Sequence, residues 1–257
     1  MPRILLWILA GIISVAFTAL AFLPASWMGT IVEAKTAGRL TLGDAQGTLW
    51  QGSAFIGGAA GSSDPVTPLL PGRFSWRLSP AIFLGSISAE LENPAALSQP
   101  VAVTGGWRQW QVSPAAIILP AERLAGLGAP LNTLQPSGQM RLSWSPLQLV
   151  LQDGKIELTG TMNLELIGIA SRMSPVKPLG DYNLDFNWQG QQATTLLSTS
   201  KGPMLLNGKG TFNNGRLQFS GTAQAEAGQE ERLANFLNLL GQHRTVNDRD
   251  AIALEFK

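Results

Sequence analysis

Cysteine is absent from the 257 residues, histidine occurs once, and charged side chains make up only 14% of the chain. Without cysteine there are no disulfides and no thiolate metal sites, a composition compatible with an oxidising compartment. The lone His243 has no second histidine and no cysteine to work with, so it completes neither an ordinary zinc site nor a Ser-His-Asp arrangement. It reads as a solvated residue at a helix end. No Gly-x-Ser-x-Gly elbow occurs, and the glycine-rich stretch from Gly57 to Gly61 lacks the Lys-Ser/Thr ending of a phosphate loop. Asp44, Glu90, Glu92, Asp153, Glu157 and Glu165 are scattered along strands and turns, and nothing selects a pair of them for acid-base work. The sequence thus offers no catalytic, cofactor-binding or metal-binding residue. It does not read as an enzyme and calls for no cofactor.

Charge of one sign is missing as well. With Arg3 set aside, 17 basic residues face 17 acidic ones. Nucleic-acid binding needs clustered Lys and Arg to neutralise phosphates, and only isolated cations such as Lys35, Arg39 and Arg73 occur, so nucleic acid is excluded as a partner. A charged fraction below the roughly 25% of an average domain leaves a surface rich in Ser, Thr, Asn and Gln.

What the chain does have is one long apolar run. Ile4 to Leu23 carries no charge, and 12 of its 20 residues are Leu, Ile, Val or Phe. At about 1.5 Å per residue a helix of this length reaches roughly 30 Å, and its apolar residues favour insertion by roughly 4 to 7 kcal/mol. Trp7 and Trp27 flank the run and Arg3 precedes it, so the reading is a membrane-spanning helix with a cytoplasmic amino terminus. Ala19-Leu20-Ala21 also fits signal-peptidase cleavage, but signal-peptide cores are shorter, about 7 to 15 residues. Ala10, Ser14 and Thr18 put small side chains on one helix face, where another helix could approach, but small residues are common in such runs and chance accounts for the pattern.

Beyond a linker over residues 24–36, with room for a helical turn, the periodicity changes from helix to strand. Leu40 and Leu42 alternate with polar residues; so do Phe74 to Leu78, Ile87 to Leu91, and Leu147, Leu149 and Leu151. Gly105-Gly106 separates Val101–Val103 from Trp107–Val112 as a hairpin turn does, and Asp153-Gly154 and Asn214-Gly215 are type I′ signals. Gly57 to Pro65 reads as a loop. Tyr182, Leu184, Phe186 and Trp188 form another strict alternation. Pro120 to Leu134 breaks the pattern, with Gly126, Gly128 and Pro130 limiting any helix to a turn or two. Leu233, Phe236, Leu237 and Leu240 follow helical spacing before Gly241, and their stripe should cover a sheet. Ala251 to Phe256 returns to strand.

The resulting fold class is mainly β: an N-terminal transmembrane helix, then a long curved antiparallel β-meander with one amphipathic helix near the C-terminus. Residues 1–3 form a cytoplasmic tail, 4–23 the span, 24–36 a juxtamembrane linker and 37–257 an exported β-rich domain. Pro71-Gly72…Ser75-Trp76…Ser79-Pro80 has a counterpart in Pro136-Ser137-Gly138…Ser143-Trp144…Ser145-Pro146, which suggests two halves, 37–119 and 136–257. Trp50, Trp76, Trp107, Trp110, Trp144 and Trp188 fall in predicted strands, as core residues or as the lining of an open trough that holds acyl chains.

Four segments carry a resemblance that covers nearly the whole chain. They are Gly47-Thr48-Leu49-Trp50-Gln51-Gly52; Phe74-Ser75-Trp76; Gly128-Ala129-Pro130-Leu131 with Leu134-Gln135-Pro136-Ser137-Gly138; and Leu237-Asn238-Leu239-Leu240-Gly241. In this order they resemble the type II secretion system protein N family of Gram-negative bacteria. The resemblance implies a single-pass inner-membrane protein with its β-domain in the periplasm. It also implies an accessory, non-catalytic part in exporting folded proteins across the outer membrane, with the inner-membrane platform or the secretin as partner. The meander and anchor also look like envelope proteins of the AsmA type, for which lipid is the partner; that is analogy at the level of fold.

Overall fold

The computed structural model describes residues 2–36, 38, 40–58, 67–68, 70–123, 131–213, 216–246 and 249–256. Two helices come first, α1 (Pro2–Ala21) and α2 (Ser26–Lys35). The first strands are β1 (Leu40–Gly47), β2 (Gln51–Gly58), β3 (Thr67–Pro68) and β4 (Phe74–Leu78). A 3-10 turn at Pro80–Leu84 leads to β5 (Ile87–Glu92), β6 (Val101–Gly105), β7 (Gln109–Val112) and β8 (Ala115–Pro120). A single helical turn, α3 (Leu131–Leu134), precedes β9 (Pro136–Trp144), β10 (Leu147–Gln152) and β11 (Lys155–Ser171). Then come β12 (Gly180–Gly190), β13 (Gln192–Lys201), β14 (Met204–Asn213) and β15 (Arg216–Ala225). Helix α4 (Glu230–Leu240) and strands β16 (Gln242–Val246) and β17 (Arg249–Phe256) complete the chain.

The strands form one 17-stranded sheet. Neighbours in sequence pair antiparallel over most of it, because short turns allow nothing else. At Asp153-Gly154 both turn residues have positive φ, 51° and 74°, as the sequence signal requires, and β10 folds back on β11 with Gln152 opposite Lys155. The long strand β11 joins the two parts of the sheet. Its beginning pairs with β10, its end with β9, and its other edge with β12. The handover falls at Gly160 (φ 144°), where an added Cβ would lie 2.6 Å from the Leu147 side chain.

Two helices close the apolar face at separate places. Helix α4 presents Leu233, Phe236 and Leu237 to Tyr182, Met204, Ala223 and Ile252, with Val176 and Leu179 of the β11–β12 connection beside them. Leu233 is fully buried, and each such side chain contributes about 1.5–3 kcal/mol. Helix α2 covers the other end, where Ala25 packs with Ala54 and Trp76, and Met28 with Leu42 flanks them. Residues 24–36, expected as a linker, are thus largely helical and bonded to the sheet.

Three expectations are corrected. A transmembrane helix over 4–23 is not supported, because among the described residues no helix is long and apolar enough to cross a membrane. With the span go the single-pass inner-membrane localisation and the topology built on it. The long curved meander is corrected too: the sheet is neither closed nor strongly curved, and no described pairing joins its terminal strands β1 and β16. Finally, Trp50 and Trp107, placed in strands by the sequence, sit in turns. The expected turn Asn214-Gly215, most of the Gly57–Pro65 loop and the glycines of the 120–134 connector lie outside the described residues.

Candidate functional site

Three of the six carboxylates singled out in the sequence, Asp44, Glu90 and Glu165, are held by arginines. Arg77 faces Glu90 across β4 and β5 at 2.9 Å, and Arg141 faces Glu165 across β9 and β11 at 3.6 Å. Arg73 bonds Asp44 at 2.6 Å and also reaches the Asp44 carbonyl and, at 3.1 Å, the Ser53 hydroxyl. The Arg73 hydrogen bond, helped by Gln46, holds the Asp44 carboxyl below its ordinary range. These pairs are exposed or partly exposed, so solvent screens them, and they act on strand register and on the bulged edge of β1. Asp153 stands exposed at its turn, and the His243 side chain lies outside the described residues. Among the described residues no three His, Cys, Asp or Glu side chains gather as a metal ion would need.

Surfaces are the more informative feature. Because side chains alternate and the pairing is in register, one face of the whole sheet is apolar. Leu42, Ile56, Trp76, Leu91 and Val103 continue across Trp110, Leu149 and Leu158 to Phe186 and Phe219. Helices α2 and α4 cover only its ends. Between them Met162, Phe186, Trp188 and Phe212 are half-buried, with Trp188 and Phe212 in edge contact at 5.2 Å. The indole nitrogens of Trp110 and Trp188 and the Thr195 hydroxyl are buried there without a hydrogen-bond partner among the described residues. Polar groups are therefore left unsatisfied in the middle of the face. Of the strands over 147–166 and 182–188, helix α4 packs against the ends near Leu166 and Tyr182.

One end of the sheet forms a second surface. The indole of Trp50 donates to the Leu20 carbonyl at 2.8 Å, Leu49 N–H to Leu23 at 2.7 Å, and Ala25 N–H to Gly47 at 3.1 Å. These bonds fix the end of α1 to the β1–β2 turn. Trp50 meets Phe83 edge-on at 5.5 Å, and Trp107 lies against Gly85. Phe83 and Leu84 carry no strand alternation, so the sequence reading passed over them. Ser79-Pro80 was the available signal: the Ser79 hydroxyl accepts from Ala81 N–H at 3.2 Å, capping a turn that begins with proline.

The sheet also keeps an open margin. Strand β16 pairs with β17 through five residue pairs, Gln242 to Val246, and no other strand among the described residues joins it. By contrast the outer side of β8 is taken by residues 96–98, through Ser98 N–H to Ala116 at 2.9 Å and Ile118 N–H to Ala96 at 2.9 Å.

Compared with known families, the chain matches the model of the type II secretion system (T2SS), protein N, over residues 38–249. No curated protein and no solved structure matches it.

Proposed function

The chain belongs to the type II secretion system protein N family, and from that premise we propose that it supports secretion by holding another component of the machine against its β-sheet. The family is non-catalytic, so the work to be assigned is binding. Membership also implies contact with other type II secretion components. The single-pass anchor attached to this role in the sequence reading is not part of the proposal, since among the described residues no helix is long and apolar enough to cross a membrane. The AsmA-like lipid reading shared that premise and falls with it.

The observation that carries the proposal is the open margin of β16 in a sheet whose family match covers both halves. An extended segment of a partner can add there as a further strand. Backbone hydrogen bonds then supply affinity without special side chains, which suits a chain that lacks chemical ones. Residues 37–257 act in this proposal as one β-rich unit, a reading supported by the continuity of the sheet through β11. Either the inner-membrane platform or the secretin is the component held. Photo-crosslinking amino acids placed at Gln242 and Arg244 in living cells test the idea. Capture of a platform or secretin subunit supports it, and capture of no secretion component overturns it.

A further inference from the structure

The polar face of the sheet carries two rows of side chains whose chemistry the fold does not use. Pairing in register sets Thr161, Asn187, Thr194, Thr211 and Gln218 side by side across β11 to β15. The next row, toward the hairpin turns, is Thr159, Gln189, Gln192, Asn213 and Arg216. Every member of both rows is exposed. Elsewhere on this face polar neighbours satisfy one another: Asn163 donates to Asp185 at 2.7 Å and Asn183 to Ser200 at 2.9 Å. In the first row, Asn187, Thr194, Thr211 and Gln218 have no side-chain hydrogen bond among the described residues. Cavities of about 560, 720 and 720 Å³ open along the rows and run into one another, the first two sharing Asn187 and Thr194, the last two Thr194, Thr211 and Gln218. Together they make one shallow groove across the strands.

Three properties of the groove select its ligand. The first is charge. Its lining includes two cations, Lys209 and Arg216, and two anions, Asp185 and Glu255. A balanced wall has no field to draw a polyanion, which argues against nucleic acids and acidic peptides. The second is composition. Phe186, Trp188, Phe212 and Phe219 take the alternate positions of these strands and face the other way. Among the described residues the groove thus presents none of the rings that anchor protein partners. It offers neutral amides and hydroxyls, each able both to give and to accept a hydrogen bond. A polymer of hydroxyl and acetamido groups is their complement. The third is spacing. Side chains in a row repeat at the strand separation, about 4.8 Å, so the first row extends roughly 19 Å. The rings of an extended β-linked sugar chain repeat at nearly the same interval, and successive sugars meet successive strands. Leu196, 56% exposed between Asp185 and Lys209 in the adjoining row, offers the apolar side of a sugar ring a surface to rest on.

We propose that this groove binds a neutral polysaccharide, an extended chain of β-linked N-acetylhexosamines lying across β11 to β15, with Asn187 and Gln192 hydrogen-bonded to its acetamido and hydroxyl groups. Each such bond replaces one to water and contributes little alone, so the groove holds the polymer by repetition along the rows. The groove does not include the β16 margin. The inference therefore goes beyond the secretion role, and either can fail without the other.

Ligand-observed NMR on the full chain tests it. Saturation transferred from the protein to chitohexaose, a β-1,4-linked N-acetylglucosamine chain, is followed as the sugar concentration rises, with maltohexaose, an α-linked chain of the same length, in parallel. The proposal expects saturable transfer to chitohexaose and none to maltohexaose. Asn187→Ala and Gln192→Ala, at exposed positions, should each raise the apparent Kd several-fold, up to about tenfold. Asn207→Ala, on the same face but outside the groove, should leave it unchanged. Absence of transfer to chitohexaose overturns the proposal, and so does equal transfer to both sugars. Binding that both groove variants leave intact overturns it too, because the sugar then sits elsewhere.

Discussion

Trp50 and Leu20 are joined by a hydrogen bond of 2.8 Å, from the indole N–H to the helix carbonyl, across 30 positions of sequence. The bond satisfies one of the carbonyls that the C-terminal turn of α1 leaves unpaired and ties the helix to the first β-turn. Trp50→Phe keeps the ring against Phe83 and removes the donor. Expected is a loss of about 0.5–1.5 kcal/mol in the local stability of that junction. Hydrogen exchange of the Leu49 amide, which bonds the Leu23 carbonyl, should quicken while exchange in β12 and β13 stays unchanged.

Helix α4 divides sharply into two faces. Leu233 is fully buried and Leu239 is 59% exposed. Leu233→Ala should cost about 2–5 kcal/mol, because the site is walled by Tyr182, Ala223 and Ile252 and cannot easily collapse. Leu239→Ala should stay within about 0.5 kcal/mol. Urea midpoints of the two variants, with m-values checked for constancy, decide the matter.

Two glycines separate conformational strain from steric conflict. Gly154 has φ 74° and open space around it, so Gly154→Ala should cost about 1–2 kcal/mol from backbone strain alone. Gly160→Ala adds a collision with Leu147 and with the Pro146 carbonyl at 3.2 Å, where β11 passes from β10 to β9. It should cost distinctly more and protect β9 and β10 less well against hydrogen exchange, since the two pairings share this hinge point.

Asp181 accepts from Gly168 N–H at 2.6 Å and pairs with Lys201 at 3.2 Å. First the backbone bond and then Lys201 hold its carboxyl below the ordinary value of 3.8, against a desolvation effect that opposes them. A carboxyl depressed in the folded state adds stability that is fully present above its unfolded pKa and is lost as pH falls through the folded one. Asp181→Asn keeps an acceptor for Gly168 but removes the titration. Its stability should fall less steeply than that of the natural chain below about pH 4, as acid titration followed by tryptophan fluorescence would register.

Short-range features were legible in the sequence for short-range reasons. Asp153-Gly154 demanded positive φ at both positions, and the spacing of Leu233, Phe236 and Leu237 placed one face of α4 on the core. The alternation of Tyr182 to Trp188 identified both strand and face. What escaped depends on contacts between distant residues. Nothing local states that β11 serves three partner strands, that Arg73 reaches Asp44, or that Trp50 bonds a helix carbonyl. The apolar run at residues 4–23 was legible as helix, but apolar composition over-read it as a span. The apolar surface around Trp50 was missed because Phe83 and Leu84 carry neither strand nor helix periodicity; only the fold brings Phe83 to Trp50.

The central claim, a part in type II secretion, is met most directly by deleting the gene in its host and measuring how much of a normally secreted enzyme stays in the periplasm. The secretion role predicts periplasmic retention that the full chain, resupplied from a plasmid, reverses. Undiminished secretion in the deletion strain would contradict it.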